Sequence, residues 1–230
     1  MYKRHDEEGK TPMQNICEHC GMYRADKLIA PDGRSMACPE CGFVVPLRRL
    51  PLFVVTGASG AGKSTAMREL YKTESAYLVM EADVLWEDRY NDPDGQYRDY
   101  YERWLRMCKS IAQGGRPVVL AGCAAPYPIE PCMDSSVRYL ALVAEDGALE
   151  ARLQARPLWR NSGSREAIAA AQAYNRWLKE NAADAEPPMT LLDNTALSPA
   201  ETAALIDRWI RKGIAAAAGI AAVETSKGLQ

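Results

Sequence analysis

Apolar positions along the chain are grouped into short blocks, which are separated by longer amphipathic stretches. The apolar blocks predict five strands, at 52–56, 77–80, 117–121, 138–143 and 190–193. Helices are predicted at about 63–71, in the stretch after Gly95, from the end of the fourth strand to about 156, and over about 164–183. A last helix is predicted after Ser198, where a capping residue precedes a proline. Strands that alternate with helices predict an α/β fold, in which a parallel sheet is covered by helices on both faces.

The first fifty residues lack this alternation and predict a separate unit. Residues 1–12 are polar and predict a flexible tail, residues 13–45 a small module, and residues 50–212 the α/β domain. The Ala-rich residues 213–230 are either a tail or an extension of the last helix. Roughly thirty residues bury too little apolar surface to fold alone, so a bound metal would supply much of the module's folding free energy.

Composition places the chain among globular proteins. It has 230 residues, 47% hydrophobic and 25% charged, with a formal net charge of −2, whereas disordered chains have fewer apolar residues and more net charge. No apolar run reaches the roughly 18 residues of a membrane span, and the polar start lacks the apolar segment of a signal peptide. We therefore expect a cytoplasmic protein.

Four of the seven cysteines form two C-x2-C pairs, Cys17 with Cys20 and Cys38 with Cys41. Two such turns supply four thiolates at the corners of the tetrahedron that Zn²⁺ prefers, and a glycine follows each pair where a tight turn needs a positive φ. The spacing predicts a zinc ribbon. Iron also binds four thiolates, whereas four merely buried or redox-active cysteines would not explain the doubled spacing.

A glycine-rich segment follows the first strand of the α/β domain. It reads Gly57-Ala58-Ser59-Gly60-Ala61-Gly62-Lys63-Ser64 and matches G-x-x-x-x-G-K-[ST] between a predicted strand and a predicted helix. The glycines let successive N–H groups point at phosphate oxygens, and the helix start adds partial positive charge. Lys63 is expected to reach the β- and γ-phosphates and Ser64 to offer its hydroxyl to Mg²⁺. This segment, with the adjacent Thr65, is predicted to bind ATP and Mg²⁺.

Two carboxylates follow the second strand of this domain. Motor and AAA-type ATPases have an acidic pair after an apolar strand, but the third strand here ends without an acid. Glu81 and Asp83 instead follow the second strand, at the crevice beside the glycine-rich segment. On an extended chain both would point the same way, and either can hold Mg²⁺ or accept a proton, with Asp83 favoured. The alternative is that they only cap a following helix.

These features resemble the small P-loop kinases, the nucleoside and nucleoside-monophosphate kinase group with shikimate and gluconate kinases as relatives. The resemblance covers about residues 50–212, and it includes an arginine-bearing segment at 149–160 and the sequence 192–195 with the helix that follows. It implies a five-stranded parallel sheet of order 2-3-1-4-5, ATP-dependent phosphoryl transfer and a lid over the reacting phosphates. It also implies that Asn194 and Thr195 lie near the adenine.

The segment that resembles the lid contains three arginines of interest. Arg152 and Arg156 are one helical turn apart, and Arg160 follows in a loop after Pro157. Guanidinium groups neutralise charge on a phosphoryl group in transfer, so we assign Arg156 and Arg160 to catalysis and Arg152 to nucleotide binding. The alternative is a solvated basic helix end, where arginine also complements the helix dipole.

The acceptor substrate is expected to contact residues 86–104, which are rich in aromatic residues and arginines. One stripe of five residues recurs at helical spacing and is expected to belong to the core. It consists of Tyr97, Tyr101, Trp104, Leu105 and Cys108. Arg89 and Arg98 lie outside the stripe and are the candidates for substrate contact.

Two classes of function remain open. The first is phosphoryl transfer from ATP to a small acceptor, with a nucleoside or nucleotide as the leading candidate. The second is an ATPase or switch whose zinc ribbon binds nucleic acid or protein, and a polynucleotide end kinase lies between the two. Residues 1–50 contain eight basic and seven acidic residues, and a four-thiolate zinc site adds negative charge, so nucleic-acid binding has weak support.

Overall fold

The computed structural model describes residues 16–23, 27–31, 34–47, 50–73, 76–95, 97–122 and 137–227. The tail expected at residues 1–12 lies outside these ranges. In the part of the chain so described, no helix combines the length and the apolar character needed to cross a bilayer.

The N-terminal module contains a small antiparallel sheet. Its strands are β1 (Leu28–Ile29), β2 (Ser35–Ala37) and β3 (Val44–Pro46), in the order β1-β2-β3. Ahead of them, Ile16 and Tyr23 form an isolated antiparallel bridge. The sheet is short, and apart from Met36 its strand residues are half-buried or exposed, so this module has little apolar core of its own.

The larger sheet has five parallel strands. These are β4 (Leu52–Gly57), β5 (Leu78–Glu81), β6 (Val118–Ala121), β7 (Val137–Val143) and β8 (Met189–Asp193). Their order is β5-β6-β4-β7-β8, which is 2-3-1-4-5 when the strands are counted within this domain. The predicted parallel sheet and its strand order are confirmed.

Helices cover both faces of this sheet. They are α1 (Lys63–Tyr71), α2 (Arg98–Gln113), α3 (Asp146–Gln154), α4 (Arg165–Asn181) and α5 (Pro199–Lys227). The side chains of central strand β4 alternate between the faces: Phe53 and Val55 pack with residues of α1, α3 and α5, whereas Leu52 and Val54 pack with residues of α2 and α4. The result is a helix–sheet–helix arrangement with a core on each side.

The last helix begins at a capping box and runs far along the chain. The Ser198 hydroxyl accepts from the N–H of Glu201 over 3.2 Å, and the Glu201 carboxylate accepts from the N–H of Ser198 over 2.8 Å. From there α5 continues to Lys227. The Ala-rich residues up to that point therefore extend the helix, which was one of the two alternatives expected for them.

Candidate active site and metal centre

The glycine-rich segment forms a tight loop between β4 and α1. At Gly57 a side chain would meet the carbonyl oxygen of Leu142, because an added Cβ would lie 2.6 Å from it. Gly62 precedes the first residue of α1 and has a φ of 95°, in the left-handed region that favours glycine. The sequence therefore allows a loop that lies close to β7 and leads directly into the N-terminus of α1, as an anion-binding loop requires.

Lys63 is the first residue of α1 and folds back onto this loop. Its Nζ donates to the carbonyl of Gly57 over 2.5 Å and to that of Ala58 over 3.1 Å. The ammonium group is thus held at the loop, the position that a phosphate-binding lysine needs.

Ser64, the last residue of the motif, contacts one of the two candidate carboxylates. Its hydroxyl donates to Oε2 of Glu81 over 3.1 Å. Glu81 is the last residue of β5, so the end of that strand meets the start of α1 at this point. A hydroxyl and a carboxylate oxygen together are the type of ligand that Mg²⁺ prefers.

The Asp83 side chain does not point the same way as that of Glu81, contrary to the expectation for an extended chain. A 3₁₀ turn, Ala82–Leu85, begins directly after Glu81. The turn is fixed from α2, because the carbonyl of Ala82 accepts from the Tyr100 hydroxyl over 2.5 Å and from Nε1 of Trp104 over 3.1 Å. As a result Glu81 meets Ser64, while Asp83 lines a separate cavity.

This cavity lies between the 3₁₀ turn, α2 and the end of β6, and its volume is about 280 Å³. Asp83 and Asn91 contribute polar side chains to it, and Gly122 lies where β6 ends. Five aromatic residues also line it. They are Trp86, Tyr97, Tyr100, Tyr101 and Trp104. We refer to this space as the aromatic cavity.

The stripe expected to form core has two roles in the structure. Trp104 and Cys108 are buried, in agreement with that expectation. Tyr97 and Tyr101 are half-buried, pack against the same cluster and also line the aromatic cavity. Helical spacing identifies the buried side of α2, but it does not show that part of that side faces a cavity. Asn91 was missed because no motif or periodicity marks it.

The two arginines proposed for substrate contact do not line this cavity. Arg89 pairs with Glu87 over 2.9 Å, and Arg98 pairs with Glu102 over 2.8 Å. Both arginine side chains are more than half exposed. Their nearest charge partners are neighbours in sequence, which is typical of a solvated surface.

Arg152, Asn194 and Thr195, proposed to bind nucleotide, come together behind the loop. Arg152 donates to Oδ1 of Asn194 over 3.0 Å and to the Asn194 carbonyl over 2.9 Å. The Asn194 amide in turn donates to the Ala61 carbonyl over 2.7 Å. Thr195 donates to Asp193 over 2.6 Å and accepts from the N–H of Glu145 over 2.8 Å. In this arrangement Arg152 and Asn194 support the loop from the side of β8.

The proposed catalytic arginines share a pocket with one residue of the loop. Arg156 and Arg160 line one open pocket, which also includes Ser59 of the glycine-rich segment. Arg160 lies 5.3 Å from the centroid of the Trp159 ring, which is 79% exposed. The structure therefore places both guanidinium-bearing residues beside the loop, between α3 and α4.

The four cysteines converge on one point in the N-terminal module. Their sulfurs all lie within 4.8 Å of one another, with 3.6 Å between Cys17 and Cys41 and 3.9 Å between Cys20 and Cys38. A tetrahedron with Zn–S distances of about 2.3 Å has sulfurs about 3.8 Å apart, so the arrangement fits a tetrahedral zinc ion.

The two cysteine turns are matched in backbone geometry. In the first, Gly21 N–H donates to the Cys17 carbonyl over 2.8 Å, and in the second, Gly42 N–H donates to the Cys38 carbonyl over 2.8 Å. The backbone N–H of Cys20 is the main cause that lowers the pKa of the Cys17 thiol to about 6. At Cys17 this favours the thiolate, which is the form that binds metal.

Comparison with known proteins supports the fold. No protein-family model matches the chain, and no curated protein matches it by sequence. A crystal structure of a sugar kinase from Janibacter sp. HTCC2649 aligns with a TM-score of 0.50 and 16% identity, covering 70% of this chain and 95% of that one. The Deinococcus radiodurans tunicamycin resistance protein aligns with a TM-score of 0.51 and 15% identity, covering 70% and 96%. The α/β domain therefore has the fold of the P-loop kinases.

Proposed function

We propose that this protein is an ATP-dependent kinase that transfers the γ-phosphoryl group to a hydroxyl of a small acceptor in the aromatic cavity. The observation that carries the proposal is the contact between Ser64 and Glu81. It joins the phosphate-binding loop to the end of β5, and Asp83 of the adjacent turn lines the cavity. The proposed nucleotide site, the metal-ligand oxygens and the acceptor space thereby follow one another along the end of β5 and the turn after it.

The loop residues bind and orient the nucleotide. The backbone N–H groups of residues 58–64 cradle phosphate oxygens, and the N-terminus of α1 adds partial positive charge. Lys63 exchanges its contacts with the loop carbonyls for the β- and γ-phosphates. Ser64 and Glu81 would hold Mg²⁺, which would neutralise negative charge on the phosphate oxygens.

Asp83 and the lid arginines act at the transferred group. The acceptor hydroxyl oxygen attacks the γ-phosphorus, and the bond from that phosphorus to the β–γ bridging oxygen breaks, with its electron pair leaving on ADP. Asp83 accepts the hydroxyl proton. Arg156 and Arg160, beside the loop, place positive charge near the phosphoryl group as it moves. Arg152 and Asn194 hold the loop in the geometry that this requires.

The cysteine centre has a structural role in this proposal. The four sulfurs hold Zn²⁺, which when bound supplies folding free energy to a module with little core. We assign the zinc no step in catalysis.

The experiment that tests the proposal is an assay of ADP formation from ATP and Mg²⁺ over a panel of hydroxyl-bearing acceptors. We expect acceptor-dependent ADP, and loss of at least about a hundredfold in rate in Lys63→Ala. The control is Lys72→Ala, because Lys72 lies at the end of α1 on the surface and pairs with Glu69. Equal rates in wild type and Lys63→Ala, with both folded, would reject the assignment of the loop.

A further inference from the structure

The aromatic cavity carries one charged group and no opposite charge to balance it. Among the described residues that line it, Asp83 is the only one with an ionisable acid, and none is a lysine, arginine or histidine. The wall is otherwise made of the five aromatic rings, small apolar groups and the amide of Asn91. The chemistry of this lining is unusual for a site that would bind an anion.

Basic residues of the same region are directed elsewhere. Arg89 pairs with Glu87 and lies 4.9 Å from the Tyr90 ring centroid, and Arg103 lies 5.5 Å from that same centroid. Arg98 pairs with Glu102. The segment that follows β6 in sequence, residues 123–136, contains no lysine, arginine or histidine, and it includes Glu130 and Asp134. The chain therefore supplies no cation from this segment either.

An anionic acceptor would be poorly stabilised in such a space. A phosphate or carboxylate that leaves water needs a cation or several hydrogen-bond donors, because its transfer is otherwise strongly unfavourable. Two donors of the wall are already used, because Tyr100 and Trp104 both donate to the carbonyl of Ala82. The carboxylates of Asp83 and Glu81 would in addition repel the anion.

The rings are arranged to receive a flat or apolar face. Trp86 packs edge-on against Tyr100 at 5.2 Å between centroids and lies 6.1 Å from Tyr97. Despite these contacts 42% of Trp86 is exposed. Aromatic faces of this kind stack on planar rings or on the apolar face of a sugar, while a carboxylate accepts from a hydroxyl.

We infer that the aromatic cavity binds an uncharged acceptor, with hydroxyl groups for Asp83 and a flat or apolar ring face for the aromatic wall. That the ligand is an acceptor rests on the proposed function. The preference for an uncharged ligand is a binding property and can be measured without turnover. A neutral nucleoside and a neutral sugar share this chemistry. Nucleotides, sugar phosphates and sugar acids are excluded by it, which narrows the range left open by the sequence.

The test compares matched neutral and anionic ligands in the absence of ATP. One arm pairs nucleosides with their 5′-monophosphates, and the other pairs glucose with gluconate. Binding is followed by tryptophan fluorescence, to which Trp86 and Trp104 contribute, and by thermal stabilisation. We expect a neutral member of at least one arm to bind about tenfold or more tightly than its anionic partner.

A cation placed in the wall supplies the complementary test. Asn91→Lys introduces an ammonium group at the cavity. We expect this change to lower the ratio of the affinity for the neutral ligand to that for the anionic ligand about tenfold. Asn181→Lys is the matched control, because it makes the same charge change at the end of α4, away from the cavity, and leaves the preference unchanged.

Two results overturn the inference: the anionic member binds wild type as tightly as the neutral one, or no neutral member binds at all. Failure of the proposed function gives a different result. In that case a neutral ligand binds and Asn91→Lys shifts the preference, but no ADP forms when ATP and Mg²⁺ are added.

Discussion

The side-chain amide of Asn194 donates to the backbone carbonyl of Ala61, inside the phosphate-binding loop, over 2.7 Å. These two residues are far apart in sequence, and Asn194 is only 3% exposed. Its other polar atom, Oδ1, accepts from Arg152. This contact joins the turn after β8 to the glycine-rich loop after β4, so the turn contributes to the shape of the proposed nucleotide site.

Asn194→Ala is expected to weaken both the fold and the loop. The change leaves the Ala61 carbonyl and one Arg152 N–H without their partner, and such a loss costs about 2 kcal/mol when the groups are buried. We expect a lower free energy of unfolding in urea and a raised KM for ATP. Asn181→Ala is the control, since that side chain caps an exposed carbonyl at the end of α4. An unchanged KM together with lost stability would limit Asn194 to a structural role.

Substitutions of Glu81, the last residue of β5, and of Asp83, in the turn after it, are expected to impair activity in different ways. Glu81 contacts Ser64, so Glu81→Gln should raise the Mg²⁺ concentration needed for half-maximal activity, by about tenfold or more. Asp83 lines the aromatic cavity, where we propose that the acceptor binds, so Asp83→Asn should lower kcat by about a hundredfold or more with little change in the Mg²⁺ requirement. Titration of activity with Mg²⁺ separates the two effects.

The exposed Glu87→Gln serves as the control for this pair, because Glu87 pairs with Arg89 at the surface. A shift in Mg²⁺ requirement for Asp83→Asn, with none for Glu81→Gln, would reverse the assignment.

The sheet and the loop were predictable because their signals are local. The five apolar blocks and the helices between them define a parallel sheet, and the sequence 57–64 specifies its own backbone and its position before a helix. The directions of Glu81 and Asp83 were not predictable. They depend on a 3₁₀ turn that Tyr100 and Trp104 fix from α2, and no neighbour of the turn in sequence signals these contacts.

The aromatic cavity is a second feature that could not be predicted from the sequence. A helical stripe of aromatic residues is typical of a buried face, and for Trp104 and Cys108 this is correct. Whether the rest of the face meets another element or encloses a space depends on how far the neighbouring turn lies from the helix. That distance is set by tertiary packing, so Tyr97 and Tyr101 could be assigned to the core from the sequence but not to the cavity wall.

Arg156 is expected to act on the rate of phosphoryl transfer. It lines the pocket that includes Ser59, where a guanidinium group can neutralise charge on the moving phosphoryl group. Arg156→Gln should lower kcat by about a hundredfold. Arg176→Gln is the matched control, because Arg176 is on the exposed side of α4 and pairs with Asp146. Equal losses in both variants would contradict a catalytic position.

Asp193 is expected to make a pH-dependent contribution to stability. The Thr195 hydroxyl and then its N–H hold the pKa of the Asp193 carboxyl below its ordinary 3.8. The stabilisation is therefore complete above the unfolded-state pKa and is lost as the pH falls through the folded-state pKa. Urea unfolding from neutral pH to about pH 3 should show wild type more stable than Asp193→Asn at neutral pH.

Below about pH 4 that difference should begin to shrink, and it should be lost as the pH falls through the folded-state pKa, where the wild-type carboxyl becomes neutral as well. Asp184→Asn is the control, because Asp184 is an exposed carboxylate in the segment before β8. A difference between wild type and Asp193→Asn that stays constant with pH would show that the Thr195 contacts do not favour the charged form.

Removal of the metal is expected to expose four thiols and leave the fifth described thiol protected. Bound metal shields Cys17, Cys20, Cys38 and Cys41 from alkylation, so a strong chelator should make these four react. Cys108 is a different case, because burial raises its pKa to about 12 and it is 2% exposed. Elemental analysis should give one zinc per chain, which distinguishes zinc from iron, and Cys38→Ser should lose it. Cys108→Ala should keep the metal, and alkylation of the four cysteines at equal rates with and without chelator would reject the site.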